Sequence, residues 1–209
     1  LLLMMLMEFF KQPEDSLTVA ADCWQLLEHA VGESNCGWRL PVLATVADGT
    51  CRQRTVVLRA VETASRTIFA HTDSRSPKVQ SLGNGKTASW LFYDAALKVQ
   101  MQFVGQTRIH VNDAVTKELW EQQPISSLRG YLAPMPPGMQ LDSANVNLPD
   151  HLRGRLPDAE EVSAGRENFA VISCTAVQIE WLQLGQSGNL RLRVTYSPDG
   201  ERNVEWLAP

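Results

Sequence analysis

Between Leu97 and Phe103 every second residue is apolar: Leu97, Val99, Met101 and Phe103 alternate with Lys98, Gln100 and Gln102. A period of two makes a strand with one packed and one polar face, and strands of this kind assemble into antiparallel sheets. The run continues to His110, and Gly105 within it predicts a bulge or a close approach of backbone. The same signature recurs elsewhere. Arg39 to Ala47 and Arg52 to Val61 are rich in β-branched residues and meet through Asp48-Gly49, a strong hairpin signal. Strands are also expected at Thr67–Thr72, Ala88–Tyr93, Phe169–Leu184, Leu190–Tyr196 and Asn203–Leu207.

Helical spacing interrupts these runs in few places. Val19, Cys23, Leu26, Leu27 and Ala30 share one face of a helix over Thr18–Val31, ended by Gly32. Ser76 and Pro77 read as N-cap and first helical residue of a short helix closed by Gly83-Asn84-Gly85. Asn112 is expected to cap a third helix reaching Gln123, with Val115, Leu119 and Trp120 buried. Tyr131 to Pro149 is rich in Pro, Gly and Asn, and is long enough to be a binding loop or a mobile flap. Roughly seven strands with two or three helices predict an α+β, mostly antiparallel barrel with a few flanking helices. Residues 1–36 read as an N-terminal helical segment and 37–209 as the barrel domain, one domain overall. No strand–helix alternation and no GxGxxG support a Rossmann fold.

A net charge of −4 argues against a protein that coats nucleic acid, which needs a basic surplus. Any bound anion must be held by a local group of Arg and Lys. Cys23, Cys36, Cys51 and Cys174 have no CxxC spacing and read as reduced thiols, and the four histidines form no metal-binding pattern, so no metal is expected. The apolar start, Leu1–Phe10, is far shorter than the roughly 20 residues of a membrane span and lacks a basic n-region. Neither membrane association nor a signal peptide is expected, and a cytoplasmic location follows by default.

Three clusters carry the chemistry. Arg54-Thr55-Val56-Val57-Leu58-Arg59 is a strand with a cation at each end. His71 to Lys78 is a strand end feeding a helix start, where Arg75, Ser76 and Lys78 offer charge and hydroxyl to a phosphate. Arg54 could complete a bidentate clamp on a dianion. Gln100 stands on the polar face of the long strand. Taken singly, a strand Arg is usually a solvated face and a Ser-Pro start is usually only a cap.

In order and spacing, however, Arg-x-Val-Val-Leu-Arg, then Thr-Asp-x-Arg-Ser-x-Lys, then a Gln-bearing strand ending in Gly105 resemble the pyridoxamine 5'-phosphate oxidase-like FMN-binding family. Val177–Leu182 and Trp206-Leu207-Ala208-Pro209 are similar to that family's tail, so the resemblance runs from Leu40 to Pro209. It implies a split β-barrel and FMN as cofactor. It makes Arg54, Ser76 and Lys78 the phosphate ligands, with Arg75 an addition, and Val56, Val57 and Leu58 the wall beside the isoalloxazine ring. His71 and Thr72 take the place of an aromatic-Thr pair near the flavin, Gln100 would bond its pyrimidine edge, and Arg59 would lie near N1 and C2=O. Arg193 matches a basic residue reaching the flavin from the partner subunit, so the family implies a homodimer with the site at the subunit interface.

The resemblance breaks on the substrate side. The family's oxidase uses an Arg-x-His element where this chain reads Asn189-Leu190-Arg191, and its substrate-phosphate residues have no clear equivalents around Thr116 to Ser126. Pro77 replaces a basic residue, and Leu182 stands where Trp is common. Tyr131-Leu132-Ala133-Pro134-Met135-Pro136-Pro137-Gly138 resembles a stretch of the family's FMN-binding branch and is expected to cover the flavin. The leading expectation is an FMN-dependent oxidoreductase acting on a small organic molecule, with no residue assigned as general acid or base. The alternatives are pyridoxamine or pyridoxine 5'-phosphate oxidation, a non-enzymatic flavin- or haem-binding protein, and a flavin-free interaction module. No Ser, His and Asp set is expected for acyl transfer.

Overall fold

A computed structural model describes residues 9–209. Of the apolar start, Phe9 and Phe10 are described; the remainder of that run, and with it part of the expected N-terminal segment, lies outside the described residues. Helix α1, Ser16–Gly32, is capped by Asp15, whose carboxylate accepts from the Leu17 N–H at 3.1 Å and the Thr18 hydroxyl at 2.6 Å. Its buried face carries Val19, Cys23, Leu26, Leu27 and Ala30, the spacing read from the sequence. These side chains join the same apolar cluster as the inner faces of the strands.

Among the described residues nine strands form one sheet: β1 Val42–Ala47, β2 Thr50–Thr55, β3 Leu58–Glu62, β4 Thr67–Asp73, β5 Thr87–Asp94, β6 Val99–Val111, β7 Phe169–Gln183, β8 Leu190–Tyr196 and β9 Arg202–Leu207. The main path runs β2-β1-β5-β6-β7-β4-β3, with β8 added to β7 and β9 to β8, and every pair is antiparallel. Asp48 and Gly49 both take positive φ, 51° and 73°, as a two-residue turn between β1 and β2 requires.

One expectation needs correcting. Arg52 to Val61 is not a single strand: the ladder with β1 ends at Thr55, and pairing with β4 begins at Leu58. β2 and β3 therefore end up at opposite ends of the strand path, although only Val56 and Val57 separate them. Two residues span so little distance that the sheet must curl until its ends meet. The result is a barrel left open at a seam, which is the split barrel expected.

β7 is the long shared strand. β6 follows one of its edges; along the other, β4 pairs with Phe169–Thr175 and β8 with Gln178–Gln183. Register slips between Val104 and Gly105 of β6, and Val177 has no partner in any of the three ladders. This bulge inverts the parity of β7: Ile172, Cys174 and Ala176 point to the main core before it, and Ile179 and Trp181 after it.

A second apolar cluster, containing Trp120, Leu128, Val162, Phe169 and Val171, lies beneath α3 (Ala114–Glu121), α4 (Ile125–Leu128) and α5 (Ala159–Ser163). The cap of α3 is Asp113 and not Asn112, which instead takes a φ of 52° to turn the chain out of β6. Asp113 accepts from the Thr116 N–H at 3.0 Å, and the Thr116 hydroxyl lies 2.9 Å from the Asp113 N–H as acceptor. The other carboxylate oxygen is 2.7 Å from His110 Nδ1, and His110 Nε2 is 2.9 Å from the Ser173 hydroxyl. A Ser, His and Asp chain thus exists, assembled from β6, β7 and a helix cap far apart in sequence. His110 and Ser173 are buried, and none of the three lines a cavity described below, so the chain acts as a clamp. Asp113→Ala should cost about 1–2 kcal/mol in urea unfolding, because it removes both the helix cap and the His110 contact.

Candidate functional site

The seam brings one group of the expected residues together. Arg54 is the penultimate residue of β2, Thr72 lies near the end of β4, and Ser76 caps α2, Pro77–Leu82. Pro77 fills the first helical position, but the Ser76 side chain makes no capping bond. Its hydroxyl instead accepts from Lys78 Nζ at 2.8 Å, and Thr72 Oγ1 accepts from the same ammonium at 2.9 Å. Arg54 Nη1 donates to Leu43 O at 3.2 Å and to Thr45 Oγ1 at 2.8 Å. Between them lies a cavity of about 210 Å³ lined by Arg52, Arg54, Ser76, Lys78, Pro137 and Gly138 among others. With only six residues in α2, side chains supply most of the positive potential.

Among the described residues no carboxylate lines this cationic cavity, although the charge of Asp73 acts on Lys78. Among the described residues neither Arg54 nor Lys78 forms an ion pair; their partners are neutral oxygens. Burial, followed by the charge of Arg54, lowers the Lys78 pKa, and burial, followed by Arg52, lowers that of Arg54. Partly desolvated cations that repel one another without a carboxylate between them are suited to an external dianion. The nearby Asp73 is already engaged, because Arg75 clamps its carboxylate at 2.7 and 3.0 Å. Arg75 also donates to Ala133 O at 2.9 Å, so its guanidinium anchors the long loop and lines a different cavity.

The loop is held down along its length. Tyr131 O accepts from Asn168 Nδ2 at 2.9 Å, and the Asn147 side chain bonds both the N–H and the C=O of Met135. Its Pro137-Gly138 turn, with Gly138 at a φ of 86°, forms one wall of the cationic cavity. Val56 and Val57 lie at the seam, outside both strand ladders, and Leu58 begins β3 fully buried.

Arg59 and His71 form a second group on the side of Tyr131 and Phe169. The His71 ring meets Phe169 edge-on at 4.9 Å, and its buried Nε2 has no hydrogen-bond partner. Burial, reinforced by Arg59, pushes the His71 pKa down to about 3, so the imidazole is neutral at physiological pH. Burial also lowers the Arg59 pKa and raises that of Tyr131 to about 12.

Gln100 and Arg193 form a third group on the outer sheet face. Gln100 is in register with Tyr93 and Leu182, while Arg193 is in register with Glu180, which faces Gln102. Glu180 is nearly buried; burial opposes its ionisation, but hydrogen bonds from Arg191 at 2.5 Å and Arg193 at 2.9 Å hold its pKa below the ordinary value. Leu91 and Tyr93 are exposed on the same face. No hydrogen bond or ion pair among the described residues links this group to the cationic cavity. Arg52 and Ser81 line the cavity without being among the expected site residues. Arg52 is two positions before Arg54, so strand periodicity puts them on one face, and Ser81 shares a face of α2 with Pro77, whose carbonyl accepts from its hydroxyl at 3.1 Å.

The family model described as pyridoxamine 5'-phosphate oxidase, FMN-binding domain matches residues 21–111, from within α1 to the end of β6. No curated protein matches the chain by sequence. Among solved structures, a pyridoxamine 5'-phosphate oxidase-related, FMN binding protein from Nostoc punctiforme PCC 73102 is 21% identical with a TM-score of 0.68. That match covers 87% of this chain and 94% of the other. PhzG from Burkholderia lata 383, solved with tetrahydrophenazine-1-carboxylic acid, is 16% identical with a TM-score of 0.62, covering 97% and 96%. At these identities the structures establish the fold, including the part beyond Val111 that the family model leaves out. No described helix is long and apolar enough to cross a membrane. The matched stretch, residues 21–111, holds Arg54, Ser76, Lys78 and Gln100, so the similarity to the FMN-binding domain of pyridoxamine 5'-phosphate oxidase includes the cations of the cavity.

Proposed function

We propose that the protein is an FMN-dependent oxidoreductase acting on a small organic molecule, and that it works as a homodimer with flavin at the subunit interface. The observation that carries this reading is the pair of partly buried cations, Arg54 and Lys78, around a cavity that no described carboxylate lines. A phosphate dianion there would accept from Arg54, Lys78 and Ser76, and the Pro137-Gly138 wall would limit its contact with water. Bound FMN would supply hydride transfer at its N5.

Val56 and Val57 would face the ring along the seam, with Leu58, fully buried in the core, behind them, and the charge of Arg59 would stabilise negative charge at the ring's pyrimidine edge. His71, neutral at physiological pH, adds no second cation there. Gln100 and Arg193 share a sheet face away from the cavity, which agrees with a site completed by a second subunit, where each protomer's outer face meets the other's cavity. The exposed Leu91 and Tyr93 would then be covered. Asn189 replaces the oxidase's arginine, and Arg191, in its histidine position, is committed to Glu180. Both features favour a substrate other than pyridoxamine 5'-phosphate.

The purified protein should be yellow, dimeric by sedimentation, and able to cycle electrons from a reductant to an acceptor with its flavin band bleaching and returning. Pyridoxamine 5'-phosphate under air should yield no pyridoxal 5'-phosphate. A preparation that takes up no FMN would reject the whole reading, while stoichiometric flavin without turnover of any donor and acceptor would remove the enzymatic part.

A further inference from the structure

A second cavity, of about 290 Å³, opens where β4 gives way to β8 along the edge of β7. Its lining includes Arg66, Gln106, Thr175, Val177 and Tyr196 and shares no residue with the cationic cavity at the seam. Arg66 ends the turn between β3 and β4 with a φ of 57°, in the left-handed region where glycine or asparagine is the usual choice. Its carbonyl accepts from the Ala176 N–H at 2.8 Å, which docks the turn against the bulge of β7. The guanidinium lies over the Tyr196 ring, 4.9 Å from its centroid, while the Tyr196 hydroxyl is held from behind by Trp24 Nε1 at 2.9 Å.

One polar group at this fork lacks a partner: Arg66 Nη1 is buried without a hydrogen bond, beside the bulge where the registers of β7 skip Val177. No carboxylate lines the cavity, and Arg66 forms no ion pair among the described residues. The nearby Ser197 hydroxyl is occupied by Asp199 and by Glu201 O. A buried donor without an acceptor is costly, and a guanidinium fork matches a carboxylate in geometry and charge. We infer that the fork between β4 and β8 is a binding site for a small carboxylate, gripped by Arg66 over Tyr196 with the Gln106 amide beside it. One lining guanidinium suits a monoanion, whereas the seam offers two cations to a dianion. The volume, about 290 Å³ and so just under the about 300–1,000 Å³ usual for ligand pockets, restricts the ligand to a small organic acid.

The test is equilibrium dialysis of benzoate against the FMN-loaded full-length chain, with inorganic phosphate as competitor. One saturable benzoate site per chain is expected, weakly displaced by phosphate. Arg66→Gly should weaken benzoate binding by at least about tenfold while flavin stays bound, and the thermal midpoint should hold because glycine suits the turn. Arg66→Lys, which keeps the charge and loses the fork, should fall between the two. Absence of saturable binding in the millimolar range, or equal binding by wild type and Arg66→Gly, would overturn the assignment. So would loss of benzoate binding on Arg54→Ala with Lys78→Ala but not on Arg66→Gly, which would move the ligand to the flavin cavity.

Discussion

Replacing Arg54 and Lys78 together by alanine should weaken FMN binding by at least about a hundredfold, leaving a purified protein that is nearly colourless. Hydrogen bonds to charged groups contribute about 1.5–3 kcal/mol each, so losing two removes about 3–6 kcal/mol from a partly buried phosphate site. Fluorescence titration of flavin-stripped protein with FMN measures the change directly; a loss below about tenfold would mean that the phosphate is held elsewhere. Arg54 also bonds Leu43 O and Thr45 Oγ1, so its removal disturbs the β1–β2 pair as well.

Lys78→Met separates binding from folding. Lys78 holds its proton less firmly in the folded chain than at the ordinary lysine value of 10.5. In the flavin-free protein the unfolded chain therefore binds more protons between the lowered value and 10.5, and stability from this group rises with pH across that window. Below the window the charged ammonium disfavours the fold. Lys78→Met should lose this rise in urea midpoint, and at neutral pH should leave the flavin-free protein at least as stable while it binds FMN poorly.

The second large effect is expected at Gly105. A Cβ built there would lie 2.4 Å from Thr175 O and 2.8 Å from Cys174 Sγ, and neither backbone oxygen nor buried sulfur can move aside freely. Gly105→Ala should cost about 3 kcal/mol, the upper part of the range for overpacking a filled interior. The damage would centre on the bulge that inverts the parity of β7, so weaker order is expected on both sides of the inversion. Urea unfolding of the flavin-loaded protein measures the loss. A change within about 0.5 kcal/mol, typical of an innocuous surface substitution, would show that the β6–β7 contact is looser than described.

Much of this architecture is visible in short windows of sequence, because the signals involved are local. The alternation from Val99 to Phe103 decides which face of β6 is packed, Asp48-Gly49 supplies the two positive φ angles of its hairpin, and Ser76-Pro77 starts α2. The order of Arg54, Ser76, Lys78 and Gln100 carries the resemblance to FMN-binding proteins, and the family match covers all four.

Tertiary structure decided what depends on which strands become neighbours. Nothing local marks Val56-Val57 as a break, since both residues favour strands; the break exists because the chain must leave one edge of the sheet and begin the other. Arg193, expected to reach the flavin of the partner subunit, stands on the outer sheet face apart from its own chain's cationic cavity, and Gln100, expected at the flavin's pyrimidine edge, shares that face because β6, β7 and β8 are neighbours. His110, Asp113 and Ser173 meet only because β6 lies beside β7. Period and turn chemistry are properties of neighbouring residues, whereas seam, fork and cavity arise from burying all the apolar faces at once.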